Sequence, residues 1–522
     1  MLAPMTRHFN TAGPCKPDIH YVLPPERRLG EVRGFVASQS YVVLHAPRQL
    51  GKTTSLMALA KALTQEGRFA AALVSMEAGA AFPDDVGAAE DAALGAWRRR
   101  AENQLPQDLW PPPWPDAKPG ARVGEALRAW ARASARPLVV FLDEIDALEG
   151  NALVSVLRQL RDGHPDRPKD FPWSIALIGM RDVRDYKMAS GGSERSRSAS
   201  PFNIKVESLT MREFTADEVT ELYSQHTDDT GQRFEPEACA RAFELSQGQP
   251  WLVNALARQA TERLVTDRGV AITEGVIDRA KDELIRRQDT HLDSLAERLR
   301  EPRVRAVIEP LLAGEALGPL PDDDRRYVLD LGLVRESPLG GFVVANPIYR
   351  EVIPRSLAAV PLASLPQIEP AWLRPDGSLD PDALLSSFLS FWRQHGEVLQ
   401  GASPYAEVAP HLVLMAFVHR VVNGGGRVER EYALGRGRID LLIDYRGVRV
   451  AIELKTWRAR DKKRDPAVDG LVQLDDYMAR TDAPVGWLVV FDQRTTRART
   501  TDANRVKRVK TASGKAAVVV RL

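Results

Sequence analysis

Over residues 1–210 short unbroken apolar runs alternate with stretches of helical period. Tyr41–His45, Ala71–Met76, Leu138–Leu142 and Ile175–Gly179 predict buried strands, and Lys52–Gln65 and Asn151–Arg161 predict helices between them. This alternation is the pattern of a parallel α/β sheet with helices on its faces. Within it, Pro106–Gly120 reads as a proline-stiffened surface connector and Ser190–Ser200 as a flexible loop by composition. From Thr215 to Arg287 the helical period runs almost unbroken, opened by Thr215 and Glu218 at capping-box spacing. Leu292–Pro354 carries three short helical patterns and a Gly340-Gly341 hairpin, the size and order of a winged helix. Ser356–Gly377, rich in proline and small residues, separates these from a final region of strands and helices.

At 522 residues the chain exceeds one core, because domains usually take ~100–200 residues. A formal net charge of +1 excludes a molecule that grips nucleic acid by overall charge, so any such surface must be local. Cys15 and Cys239 lie far apart and form no metal-ligand pattern, which fits a reducing compartment. No apolar run reaches the ~20 residues of a membrane span, and Met1–Asn10 lacks an apolar signal core. The expected location is the cytoplasm, with no membrane partner.

Ala46-Pro47-Arg48-Gln49-Leu50-Gly51-Lys52-Thr53-Thr54 follows a predicted strand and opens a predicted helix. Backbone N–H groups of such a loop surround phosphates at a helix N-terminus, where the dipole favours an anion. Gly51 permits close backbone approach, Lys52 reaches the outer phosphates, and the Thr53 hydroxyl takes a place on Mg²⁺. Lys52 is expected to be exposed, with no role in the core. Ala46 stands where the motif has its first glycine, and Pro47 biases it towards extended backbone. The apolar run Leu138–Leu142 ends at Asp143, placed to hold the Mg²⁺ shell, and at Glu144, placed to orient or deprotonate the attacking water. Arg181, past the strand ending at Gly179, is a candidate γ-phosphate sensor with Arg184 in reserve; a plain surface arginine is the alternative.

With Phe9–Pro14 and Gly248-Gln249-Pro250-Trp251-Leu252-Val253-Asn254, these motifs resemble the AAA-like P-loop ATPases related to the STAND signalling class, over residues 9–356. The resemblance implies a nucleotide-switched protein with ATP and Mg²⁺ as cofactors. It implies an ATPase core at 1–210, a helical lid at 211–290 with Pro250 against the nucleotide, and a winged helix at 291–356. A linker at 357–377 then leads to the last domain, at 378–522.

In that domain, Ile439–Tyr445 and Val448–Leu454 are apolar strands joined at Arg446-Gly447, a compact hairpin turn. The turn sets the register and brings Asp440 opposite Glu453, with Lys455 on the same face. Two like charges placed so destabilise a sheet unless a divalent cation lies between them. Paired carboxylates for Mg²⁺ or Mn²⁺ beside a lysine form a constellation for phosphodiester hydrolysis. A charged surface hairpin is the alternative. Arg438-Ile439-Asp440, Glu453-Leu454-Lys455 and Gln473–Tyr477 occur in the order of the PD-(D/E)xK nucleases, and the domain resembles that superfamily, without the motif's proline before Asp440. The resemblance implies a mixed α/β restriction-endonuclease-like fold with Asp440 and Glu453 as metal ligands, Lys455 as catalytic and Gln473 as an active-site group. It also implies an early helical glutamate, Glu407 or Glu397. Arg458, Arg460, Lys462–Arg464 and the cluster from Arg494 to Lys510 supply cations for a phosphate backbone. No softer ligand set is present, which argues against zinc.

The expected function is an ATP-switched, metal-dependent DNA endonuclease. The alternative is a nucleotide-dependent DNA-binding or signalling switch that grips without cutting. DNA is the expected partner, with a protein or nucleic-acid trigger and nucleotide-dependent homo-oligomerisation as further candidates.

Overall fold

The computed structural model describes residues 7–179, 207–287, 298–313, 317, 320–337, 340–353, 372–402, 409–422, 426–432, 439–457, 465–494 and 506–522. The chain forms two compact units. The first comprises residues 1–287, 326–334 and 345–347, and the second 288–325, 335–344 and 348–522. Among the described residues, no helix is long and apolar enough to cross a membrane.

In the first unit, α1 (Gly30–Ala37), β1 (Val42–His45), α2 (Lys52–Gln65), β2 (Ala70–Ser75), α3 (Val86–Gln104), α4 (Arg122–Ala133), β3 (Leu138–Asp143), α5 (Gly150–Gly163), β4 (Ser174–Gly179) and β5 (Glu207–Thr210) build a five-stranded sheet. Its order is β2-β3-β4-β1-β5, and every pairing is parallel. The unbroken apolar runs follow from burial on both faces, since helices cover each side of such a sheet. Trp97, Trp130 and Val140 belong to one core layer, and Leu44, Leu59 and Phe141 to the other. The predicted strands and helices all form, shifted by no more than two residues at any end. Pro106–Gly120 is irregular apart from a turn of 3₁₀ helix, but it is more than a surface connector. Trp114 packs on Trp130 with ring centroids 6.1 Å apart, and its Nε1 donates to Leu94 O.

Helices α6 (Ala216–Thr230), α7 (Pro236–Ser246), α8 (Pro250–Gln259) and α9 (Glu274–Arg287) follow. The predicted capping box is present: Thr215 Oγ1 accepts from Glu218 N, and the Glu218 carboxylate accepts from Thr215 N. Phe9 is buried among Tyr21, Tyr223 and His226, which fastens the N-terminal segment to these helices.

Helices α10 (Pro302–Ala313) and α11 (Asp322–Asp330) precede a two-stranded pair, β6 (Val334–Glu336) and β7 (Phe342–Val344). Later in the chain come α12 (Pro381–Ala402), α13 (Ala409–Val422), β8 (Gly426–Tyr432), β9 (Ile439–Tyr445), β10 (Val448–Trp457), α14 (Pro466–Arg480), β11 (Val485–Asp492), β12 (Val506–Lys510) and β13 (Ala516–Arg521). These strands form a mixed sheet of order β12-β13-β11-β10-β9-β8. β8, β9 and β10 are antiparallel neighbours, whereas β10 runs parallel to β11 through the crossover helix α14. Leu474 and Tyr477 of α14 bury against Leu488 and Val490 of β11.

Candidate functional sites

The loop between β1 and α2 gets its shape from two left-handed positions, Gln49 at φ 62° and Gly51 at φ 87°. Gly51 is the N-cap of α2, and glycine takes that conformation without steric cost. Ala46 is not among the positive-φ residues, so the missing glycine costs the loop nothing there. It is fully buried, and its N–H donates to Gly179 O at the end of β4. The expectation of an exposed Lys52 is overturned. Its ammonium folds back onto the carbonyl oxygens of Ala46 and Pro47, and burial brings its pKa down to about 8. A long cation beside inward-facing loop carbonyls satisfies them and gives up part of its hydration.

Thr53 Oγ1 donates to Asp143 Oδ2 at 2.8 Å. Asp143 is nearly buried, and burial raises its pKa against the opposing pull of the Thr53 hydrogen bond. Its Oδ1 accepts from Glu144 N at 3.0 Å. Glu144 has φ 56°, a left-handed backbone that costs a non-glycine residue roughly 1–2 kcal/mol. The turn swings its carboxylate to Ser75 at the end of β2, whose Oγ donates to Glu144 Oε2 at 2.5 Å. The loop, Asp143 and Glu144 thus meet at the carboxyl ends of β1, β3 and β2, where open α/β sheets bind ligands. Arg181 and Arg184 lie outside the described residues.

A cleft opens beside this loop between the N-terminal segment and α8, with Tyr21, Arg28, Gly51, Thr54, Pro250 and Asn254 on its walls. Pro250 is the first residue of α8, as its φ restriction favours, and Gln249 caps that helix by accepting from Leu252 N. Cys15 N donates to Thr54 Oγ1 at 3.0 Å. Arg28 was not singled out from the sequence. It donates to Leu50 O and Arg212 O, stacks over Phe214 and is brought down to about 10 by burial. Nothing in the surrounding Pro24–Leu29 pattern distinguishes it from a surface arginine.

The turn after α11 also reaches the loop. His45 Nδ1 stands 3.2 Å from Asp330 Oδ1, and Gly332, at φ 71°, approaches Pro47 so closely that a Cβ there would lie 2.6 Å from Pro47 Cγ.

In the second unit, the Arg446-Gly447 turn has both residues at positive φ, the two-residue hairpin geometry that matches strand twist. It sets the expected register: Asp440 pairs with Glu453. The same row continues onto β8, where Glu431 pairs with Asp440. Glu431 was missed because β8 has no turn-fixed register readable from sequence. Glu453 is fully buried, and Lys455 Nζ lies 2.7 Å from its Oε1, off the hydrogen-bonding direction. Neither Glu453 oxygen has a well-directed hydrogen bond among the described residues. Lys455 Nζ instead donates to Gln473 Oε1 on α14 at 2.6 Å, so Gln473 arrives from the following helix as expected. Glu407 and the basic residues 458–464 lie outside the described residues, as do Arg497, Arg499 and Arg505. Lys507, Arg508 and Lys510 lie exposed on β12. Arg494 lies over the Trp457 ring, 3.5 Å from its centroid, and is paired to Asp492.

No protein-family model matches the chain, and no curated protein matches it. Among solved structures it is similar to the Walker-type ATPase paby2304 of Pyrococcus abyssi, at 14% identity and TM-score 0.46, covering 68% of this chain and 99% of that one. It is also similar to the RuvB Holliday junction branch migration motor of Thermotoga maritima, at 16% identity and TM-score 0.33, covering 63% and 93%. The ORC2 protein of Aeropyrum pernix matches at 15% identity and TM-score 0.35, covering 67% and 96%.

Proposed function

We propose that the chain is an ATP-binding and ATP-hydrolysing switch that controls a metal-dependent DNA endonuclease site in its second unit. The observation that carries the nucleotide half is the Thr53–Asp143 hydrogen bond at the carboxyl edge of the sheet, beside a loop closed by Lys52. A hydroxyl and a carboxylate in contact at a helix N-terminus are the hard oxygen donors that Mg²⁺ takes. Lys52 and the loop N–H groups bind phosphate oxygens, and Glu144, held by Ser75, orients the water that attacks. Residues 211–290 act as the lid and 291–356 as a winged helix.

The nuclease half is supported by the register of Asp440 with Glu453 and by the bond from Lys455 to Gln473. The donor set fits a divalent cation, because Glu453 is buried with carboxylate oxygens that no described group hydrogen-bonds well. Asp440 and Glu453 would hold Mg²⁺ or Mn²⁺, with Glu431 as a further acid in the same row. A bound cation supplies Lewis acidity to a phosphodiester. Lys455, oriented by Gln473, positions the nucleophile.

The exposed cations of β12 favour the second reading, a DNA-binding switch without cleavage, since they alone suffice for a phosphate backbone. Plasmid cleavage in Mg²⁺ or Mn²⁺ with and without ATP, comparing wild type, Lys455→Ala and Lys52→Ala, separates the two. The endonuclease reading expects cleavage that Lys455→Ala abolishes and that Lys52→Ala uncouples from ATP. DNA retention without cleavage in the wild type would leave the binding switch.

A further inference from the structure

Two buried polar atoms on the wall of the cleft beside the loop lack a hydrogen-bond partner among the described residues. Asn254 is 7% exposed, and its Nδ2 donates to Pro250 O at 2.8 Å, which orients the amide and leaves Oδ1 unpaired. Ser55 is 1% exposed, directly follows Thr54 on α2, and its Oγ is also unpaired. Both residues line the cleft, and so do the apolar side chains of Leu23, Phe214 and Leu222. Folded proteins rarely leave buried polar atoms unsatisfied without a functional reason. An apolar slot beside a phosphate loop, carrying one fixed acceptor and one adaptable hydroxyl, matches a flat heteroaromatic ring with a polar edge.

We propose that Asn254 is the base-reading residue of the nucleotide site, its Oδ1 accepting from the exocyclic amine of a 6-aminopurine. This rests on the nucleotide reading of the loop. The Nδ2 bond to Pro250 O sets the orientation of the amide, and Oδ1 is the buried Asn254 atom left to accept in the cleft. Adenine offers an amine donor next to a ring-nitrogen acceptor, and the Ser55 hydroxyl can donate to such an acceptor. Hypoxanthine and guanine carry a carbonyl oxygen at that position, which would set acceptor against acceptor. A site built to hydrogen-bond one group rejects the analogue that lacks it more strongly than an apolar pocket rejects a misfit.

The test compares ATP with ITP, whose base carries oxygen in place of the amine, by calorimetry on the full chain with Mg²⁺. Wild type is expected to bind ATP about tenfold more tightly than ITP, roughly the effect of one hydrogen bond. Asn254→Ala should weaken ATP, leave ITP unchanged or slightly tighter because an opposed acceptor is gone, and bring the two to within about twofold. A merely structural role would lower both together. Equal wild-type affinities, or a variant that keeps the ATP preference, overturn the assignment. If the alanine variant does not fold, Asn254→Leu removes the acceptor at similar volume and is read the same way. Failure of wild type to bind either nucleotide would instead overturn the nucleotide site itself.

Discussion

Thr53 Oγ1 and Asp143 Oδ2, 2.8 Å apart, tie the first turn of α2 to the end of β3 across the intervening strand β4. Their side chains are therefore preset at contact distance, one from the loop strand and one from the acidic strand. Asp143→Asn keeps an oxygen for the Thr53 hydroxyl but loses the charge that a cation needs. It should bind ATP in chelator about as wild type does, yet lose the Mg²⁺-dependent gain, on the order of tenfold. Calorimetry with Mg²⁺ and with EDTA checks this, and an undiminished Mg²⁺ effect removes Asp143 from the metal shell.

Lys52 gives a pH signature. Its folded-state pKa of about 8 lies below the ordinary lysine value, so above pH 8 the unfolded chain binds the proton more strongly than the folded one. Stability of the nucleotide-free protein should therefore rise from about pH 8 to about pH 10.5 through this group. Phosphate binding favours the ammonium, so nucleotide binding near pH 8.5 should take up protons. Binding enthalpies in buffers of different ionisation enthalpy measure that uptake, and Lys52→Ala should abolish both the uptake and tight binding.

Glu144 is held by Ser75, which makes Ser75→Ala a test that spares the carboxylate. Without the hydroxyl the Glu144 side chain is free to rotate, and turnover should fall several-fold to about tenfold while nucleotide affinity holds. Glu144→Gln should bind equally well and hydrolyse far more slowly. Steady-state ATPase assays beside binding isotherms separate these effects, and unchanged turnover in Glu144→Gln removes Glu144 from catalysis.

The loop's strained residue is Gln49 rather than Ala46. Gln49→Gly should be neutral or stabilising, because relief of about 1 kcal/mol of left-handed strain offsets the added unfolded-state entropy. Ala46→Gly should stabilise nothing and improve no affinity. Gly332→Ala combines a positive φ with a collision against Pro47, so it should destabilise by about 2 kcal/mol or more. Thermal melts of the three variants give the ranking.

Lys455→Met should lower stability by roughly 3–5 kcal/mol, because it leaves the Glu453 charge buried without its cation. Adding Glu453→Gln should restore most of that loss, while neither protein cleaves DNA. Mn²⁺ should raise the melting temperature of wild type and not that of Asp440→Asn. No Mn²⁺-dependent shift in the wild type would remove the main support for a metal at this hairpin.

Sequence legibility followed how locally each feature is determined. The strands of the first sheet show as apolar runs because both their faces are buried, and the Asp440–Glu453 register follows from a two-residue turn. The Thr215–Glu218 capping box needs only its own four residues. What escaped notice depends on distant partners: Ser75 beneath Glu144, Arg28 against Leu50 and Arg212, and Gly332 against Pro47. Lys52 was misjudged for the same reason, since only the closed loop reveals carbonyls for its ammonium.

The contact of Gly332 with Pro47 has a consequence for synthesis. The first unit is incomplete when the ribosome has passed Arg287, because residues 326–334 and 345–347 also belong to it. At roughly 5–20 residues per second, the intervening stretch takes several seconds to emerge. During that interval the nascent loop strand lacks its cover at Pro47 and its partner for His45. Damage at Asp330 or Gly332 would then reduce the yield of native chains as well as the stability of those that finish folding, and chaperone demand would register it before any equilibrium melt.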